Sequence, residues 1–312
     1  SPTVDARLLN REEFLEKVRN IEYRNAYTQA SGYTEQNPAW TFANSDFLPP
    51  NIAGAGTTND FDWFGSLTQN SLIQNHSLGL TGGSDKTSYF LSAGYTNEKG
   101  YIKNDDYKRY TVRINLDNAI TKWLTIGVNT SGAFTDFSGD APSVDNIVST
   151  SPLVTPTDAN GDWVINPIGD FNVNPFLNSL ADNYEVQSRL VGNFYTILKV
   201  PSIPGLSYRV NFGNNLKYFK TYSSTPYGAG RTGEAFKNDA TQYEQTLDNI
   251  LNYVHSFGKH NINATAVYGY NTADFNRTVA RGTGFSDLNL SYNNLALAEI
   301  QKIDSEAWDE AL

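Results

Sequence analysis

From about Leu72 onward the chain alternates apolar and polar residues with a period of two. Tyr89, Leu91, Ala93 and Tyr95 stand between Ser88, Phe90, Ser92, Gly94 and Thr96. Tyr110, Val112, Ile114 and Leu116 stand between Thr111, Arg113, Asn115 and Asp117. The same pattern runs through Leu124–Val128, Leu206–Phe212 and Ile262–Tyr270. Successive side chains of a strand point to opposite faces, so each segment predicts a β-strand with one apolar and one polar face. Leu72 to Thr81, Val186 to Lys199 and Gln242 to Phe257 read as strands with less cleanly separated faces. The first seventy residues differ. Leu8, Phe14, Leu15, Val18 and Ile21 lie near helical spacing, and Asn10 with Glu13 has the form of a capping box, which predicts one short amphipathic helix. Tyr33 to Asp62 is rich in Asn, Pro, Gly and aromatics and reads as loop.

The connections are as informative as the strands. Gly82 to Thr87 is tight, Thr96 to Lys108 longer, Asn118 to Trp123 short and 136–185 long. Val200 to Gly205 is short, 220–241 long, Ser256 to His260 short, and 272–312 reads as a long irregular segment. Antiparallel strands that cross a membrane put every short turn on one side and every long loop on the other, whereas a soluble sandwich has no reason to sort its loops. The expected fold is therefore all-β: an antiparallel transmembrane β-barrel segment of about eight strands with long extracellular loops. Residues 1–70 form a helix and an irregular extracellular segment, and 71–312 the barrel segment. Apolar strand faces would meet outer-membrane lipid. Tyr89, Tyr95, Tyr110, Tyr218 and Tyr270, near strand ends, would sit at headgroup level.

Composition supports a β-protein with wet surfaces. Of the 312 residues 18% are charged and 13% aromatic, with 19 Tyr and 17 Phe, yet mean hydropathy is -0.46 because neutral polar residues fill the rest. A net charge of -10 without a dense basic run argues against a nucleic-acid partner. The absence of Cys removes disulfides, thiolate metal sites and cysteine nucleophiles. The absence of Met, even at position 1, suggests a piece of a longer chain. No apolar run of about 18 residues is present, which leaves strand-crossing proteins untouched.

Candidate chemistry is sparse. His76, His255 and His260 lack ligand spacing. Asp158, Asp162 and Asp170 outline a calcium-like loop without its closing Glu, and Asp105-Asp106 reads as a solvated loop tip. The Gly54-Ala-Gly56 and Gly282-Thr-Gly284 stretches do not follow a strand and open a helix, as a phosphate loop must. No catalytic residues, metal site or cofactor are expected, and no enzyme activity.

At Asp62 to Leu116 the chain resembles a known family. Asp62-Trp63, Gly82-Gly83-Ser84, Gly94-Tyr95, Gly100, Arg109-Tyr110 and Asn115, in this order and spacing, are similar to the SusC/RagA type of TonB-dependent outer-membrane transporter. Leu8-Leu9-Asn10, His260-Asn261-Ile262-Asn263 and Gly282-Thr283-Gly284-Phe285 extend the likeness. The resemblance implies part of a plugged, roughly 22-stranded barrel that imports oligosaccharides or peptides. It also implies energy from the TonB system and a SusD-like surface lipoprotein as partner. The plug and the TonB-contacting segment have no counterpart in these residues, so a partial barrel is expected. The loop aromatics Trp40, Phe42, Trp163 and Phe171 are candidate contacts to substrate or partner. The reading from another class is an extracellular β-rich adhesin or carbohydrate-binding module without a channel.

Overall fold

The computed structural model describes residues 7–48, 52, 58–169, 173–227 and 232–311. They fall into two compact units. One comprises Ser71–Lys99, Asp106–Gly139 and Asp182–Leu312, and the other Ser1–Asn70, Gly100–Asp105 and Asp140–Ala181.

The first unit is a single antiparallel sheet in which every strand pairs with its sequence neighbours. Its strands are β1 (Leu72–Gly83), β2 (Thr87–Lys99), β3 (Asp106–Ala119), β4 (Leu124–Asp136) and β5 (Asp182–Lys199), followed by β6 (Leu206–Thr225), β7 (Glu234–Phe257), β8 (His260–Phe285) and β9 (Ala298–Ala311). Directly opposed residues share a face, so the register separates the faces without ambiguity. His76, Tyr95, Tyr110, Phe134, Ser188 and Tyr218 form one row on the apolar face. Leu78, Ala93, Val112, Gly132, Leu190 and Leu216 form the next row on that face. No second layer covers this face among the described residues: Leu78 is 75% exposed and Tyr268, on the same face of β8, 70%. A β-sandwich would bury such a face under a second sheet, and among the described residues there is only this one sheet. The adhesin reading is therefore not favoured. The apolar band also slides along the strands. Its edge near the short turns moves from Tyr89 on β2 to Leu124 on β4 and Ile262 on β8. Strands tilted to a membrane require such a slip, because the lipid boundary cuts obliquely across the hydrogen-bonded rows.

The strand count exceeds the expected eight by β9, and two expected loops are largely strand. Of 220–241, Lys220–Thr225 continues β6 and Glu234–Thr241 opens β7, paired with each other. Of 272–312, Thr272–Phe285 extends β8 and pairs with β9. These extensions lie past the apolar band. With no lipid to face, they need no apolar alternation, and the period-two signal disappears while the ladder continues. β9 (AEIQKIDSEAWDEA) is rich in helix formers, and tertiary pairing overrides that preference.

The second unit is built from helix and loop. Helix α1 (Arg11–Ile21) begins at the expected capping box: the Asn10 side chain accepts from the Glu13 N–H, and the Glu13 carboxylate accepts from the Asn10 N–H. Arg7 binds the same carboxylate through both terminal nitrogens, and these contacts draw Glu13 down to about 2. Short helices α2 (Tyr23–Ala26), α3 (Trp63–Leu67) and α4 (Val144–Ser149) follow. Leu15 and Val18 of α1 pack with Leu48, Ile52 and Leu153, while Trp63 and Leu67 pack with Ile147. The segments before residue 71 and within 140–181 thus share one core, which no local pattern announces. Asn174 braces the 140–181 segment internally: fully buried, it donates to the carbonyls of Pro156 and Val164, at 2.8 Å each, and accepts from the N–H of Phe176.

Candidate functional site

The polar face of the sheet carries the charged and amide groups a solute could use. On β5 to β7 they form one network. Glu244 accepts from Asn215 and from Gln242, at 2.6 Å each, and faces Lys217 Nζ at 3.4 Å. Asn215 in turn accepts from Arg189 Nε at 2.9 Å. A second network crosses β3 to β6. The Tyr195 hydroxyl donates to Asp117, two strands away, and Arg209 lies 4.3 Å from the centre of the Tyr195 ring. Register explains the reach, for Asp117, Gly127, Tyr195 and Asn211 form one row. Gly127 has no side chain, so the tyrosine lies across β4. A Cβ there would collide with the Tyr195 ring and with Asp117. Arg109 and Arg113 on β3 have no hydrogen bond or ion pair among the described residues, and both are exposed.

The motif residues behind the family resemblance have structural settings. Asp62 caps α3, accepting from the Gly65 N–H at 2.9 Å. Trp63 is 1% exposed and donates from Nε1 to the Ser151 carbonyl at 3.0 Å. Gly82 and Gly83 end β1, and a Cβ at Gly83 would collide with the Thr87 carbonyl. Gly94 lies beneath the Thr111 hydroxyl. Gly100 donates to the Asp105 carbonyl, with no room for a Cβ beside that backbone. Tyr95 and Tyr110 pack at 5.0 Å within the aromatic row, and Asn115 opposes Phe90 and Asn129. The sequence reading missed Gly127, Tyr195 and the Glu244 network. Each depends on pairing between residues remote in sequence.

The loop aromatics sit in contacts with their own unit. Trp40 and Phe42 meet edge to face at 5.0 Å, and Arg19 stacks on Phe42. Trp163 lies 5.6 Å from Phe176, which also packs on Trp63. Phe171, Asp170 and the Gly54–Gly56 stretch lie outside the described residues. Asp158 accepts from the N–H groups of Asn160 and Asp162, the pattern of a turn. Among the described residues no group of three or more His, Asp or Glu is positioned to hold a metal ion.

Glu22 anchors the Trp40 loop. Its buried carboxylate accepts from Trp40 Nε1 at 2.9 Å, the Ser45 hydroxyl at 2.5 Å and the Phe47 N–H at 2.6 Å. Burial opposes the charge, but these donors outweigh it and hold the group below its ordinary 4.5. A depressed folded value adds stability that is complete above the ordinary carboxylate range and disappears as pH falls through the folded value. Acidification below 4.5 should therefore loosen the loop around Trp40 to Leu48. Limited proteolysis across a pH series reads this. Glu22→Gln should cleave readily at every pH, because its amide NH2 meets donors rather than acceptors.

No protein-family model matches the chain. It is similar to TonB-dependent receptor P3 of Formosa agariphila, 28% identical over 256 residues, covering 75% of this chain and 25% of that one. It is also similar to TonB-dependent receptor SusC of Bacteroides thetaiotaomicron, at 24% identity over 246 residues, 68% of this chain and 24% of that one. Among solved structures, the RagAB peptide transporter shares the fold over 98% of this chain and 37% of its own, with TM-score 0.66 and 20% identity. The chain spans about a quarter of the length of the curated relatives it matches. With its single open antiparallel sheet and exposed apolar band, this chain is similar in sequence to TonB-dependent receptors, SusC among them, and shares its fold with the RagAB transporter.

Proposed function

We propose that the sheet is part of the wall of an outer-membrane receptor that imports oligosaccharides or peptides. Its apolar face meets lipid and its polar face the lumen. The observation that carries this reading is the exposed apolar band bordered by Tyr95, Tyr110, Phe134 and Tyr218. A band of this kind is stable against hydrocarbon, and aromatic residues favour the headgroup boundary. The long connections then lie outside the cell. The similarity to SusC and to RagAB supports energy from the TonB system and a SusD-like lipoprotein partner. The open edges of β1 and of β8 from His260 to Asn271, which β9 does not reach, require further strands, since unpaired backbone is not tolerated in lipid. The aromatic residues Trp40, Phe42 and Trp163 serve the packing of the loop unit.

The test is made on the full-length receptor in its host. Deleting it, or inactivating TonB, should abolish uptake of a scarce oligosaccharide or peptide, and complementation should restore it. Uptake of all such solutes unchanged by either deletion would overturn the proposal. So would a full-length protein that is monodisperse in water without detergent.

A further inference from the structure

One row of the polar face runs across the whole sheet with a graded chemistry. It reads Ser77, Gly94, Thr111 and Ala133 on β1 to β4, then Arg189, Lys217, Gln242, Phe275 and Trp308 on β5 to β9. The first half is a floor of small side chains. The second half passes from two cations through an amide to two aromatic rings. Phe275 and Trp308 are nearly parallel, with centroids 5.5 Å apart, and Trp308 is 40% exposed. They offer flat apolar surface beside hydrogen-bonding groups, which suits the C–H face of a sugar ring.

The cations near this row exceed what their neighbours neutralise. Arg109 and Arg113 flank it on β3 and have no partner among the described residues, whereas Arg189 binds Asn215 through Nε and feels the Glu244 carboxylate beyond it. Lys217 is matched by Glu244, and Arg277 stands opposite Glu306. Glu310 lies on the far strand, and Asp117 is held by Tyr195. Arg109 and Arg113 thus flank the small-residue floor without an acceptor among the described residues, in a chain whose net charge is -10. Guanidinium groups pair bidentately with carboxylates and sulfates. From Arg189 to Trp308 the row crosses four strand spacings, roughly 19 Å, the reach of a short oligosaccharide.

We infer that this row is a binding track for an anionic oligosaccharide, bearing carboxylate or sulfate groups. Its sugar rings lie toward Phe275 and Trp308, and its charges toward Arg109 and Arg113. The inference rests on the transporter reading and narrows its substrate class. Titration calorimetry on the full-length receptor in detergent tests it, with trigalacturonate and a sulfated galactan tetrasaccharide as probes and maltotriose and triglutamate as controls. At least one anionic sugar should bind roughly tenfold or more tightly than either control, and more weakly as salt rises. Arg109→Gln with Arg113→Gln should remove that advantage while leaving the melting temperature in detergent unchanged. Trp308→Ala should weaken the anionic sugar without altering its salt dependence. Equal binding of maltotriose overturns the charge assignment, and equal binding of triglutamate overturns the sugar assignment. If neither anionic sugar binds and the arginine variants lower the melting temperature, the arginines are structural and the inference fails. Each of these outcomes leaves TonB-dependent uptake standing, so the inference can fail while the transporter reading holds.

Discussion

Replacing Gly127 with Val should be among the most damaging single changes in the sheet. The new side chain would occupy the space where the Tyr195 ring crosses β4 on its way to Asp117. Even the Cβ of alanine would collide with that ring, and the backbone cannot yield without breaking the ladders to β3 and β5. The tyrosine must swing away. It then loses its hydrogen bond to a carboxylate and its stacking against Arg209, and leaves Asp117 without that donor. Overpacking costs about 1–3 kcal/mol and a hydrogen bond to a charged group about 1.5–3 kcal/mol. These contributions overlap, so we expect about 3 kcal/mol for Gly127→Val and somewhat less for Gly127→Ala. Urea unfolding of the full-length receptor in lipid vesicles measures it. Tyr195→Phe loses only the hydroxyl contact and should cost less than either. In the double variant Gly127→Ala, Tyr195→Ala, the glycine change should cost almost nothing, because the clash is gone. If Gly127→Ala costs the same with and without the tyrosine, the crossing does not stabilise the sheet.

This crossing also marks the limit of what period-two reading can deliver. Strands β2, β3, β4, β6 and β8 declare themselves because one face is selected to be apolar, as contact with lipid would require. Tyr89 to Tyr95 and Tyr110 to Leu116 could not alternate so cleanly otherwise. Where that selection stops, the signal stops: Lys220–Thr225, Glu234–Thr241 and β9 are strands held by pairing alone. The aromatic row was legible as tyrosines near strand ends, since alternation fixes the face even when the register is unknown. Contacts across strands were not. Tyr195 and Asp117 are 78 residues apart, and nothing local ties a tyrosine on β5 to a glycine on β4. The same holds for Glu244 and for the row from Arg189 to Trp308. Each is an ordinary polar or aromatic residue until the register aligns it with its neighbours. In the loop unit, the capping box at Asn10 was legible because its parts lie three residues apart. The shared core was not, because it joins Leu15 to Leu153 and Trp63 to Ile147.

That shared core makes Trp63→Ala the second change with a large expected effect. Trp63 opens α3, capped by Asp62, and is buried between Phe61 at 4.8 Å and Phe176 at 6.0 Å. Its indole N–H also ties the segment before residue 71 to the Ser151 carbonyl. Truncation removes the ring, leaves a cavity that two aromatic neighbours cannot fill, and takes the indole donor from the Ser151 carbonyl, which keeps only a long bond from the Val154 N–H. Removing a buried tryptophan costs about 3–5 kcal/mol. The lost contacts all lie within the loop unit, so the loss should appear as local opening of that unit, with the sheet intact. Hydrogen exchange on the full-length receptor should show faster exchange at Ser143 to Leu153 and Phe61 to Thr68, and unchanged protection in β2 to β6. Trp63→Phe keeps the packing and loses the hydrogen bond, so it should show a fraction of the effect. If Trp63→Ala left exchange in Ser143 to Leu153 as in the wild type, the tryptophan would not be the link between the two segments. A uniform loss of protection across the sheet would instead show that the loop unit and the strands unfold as one.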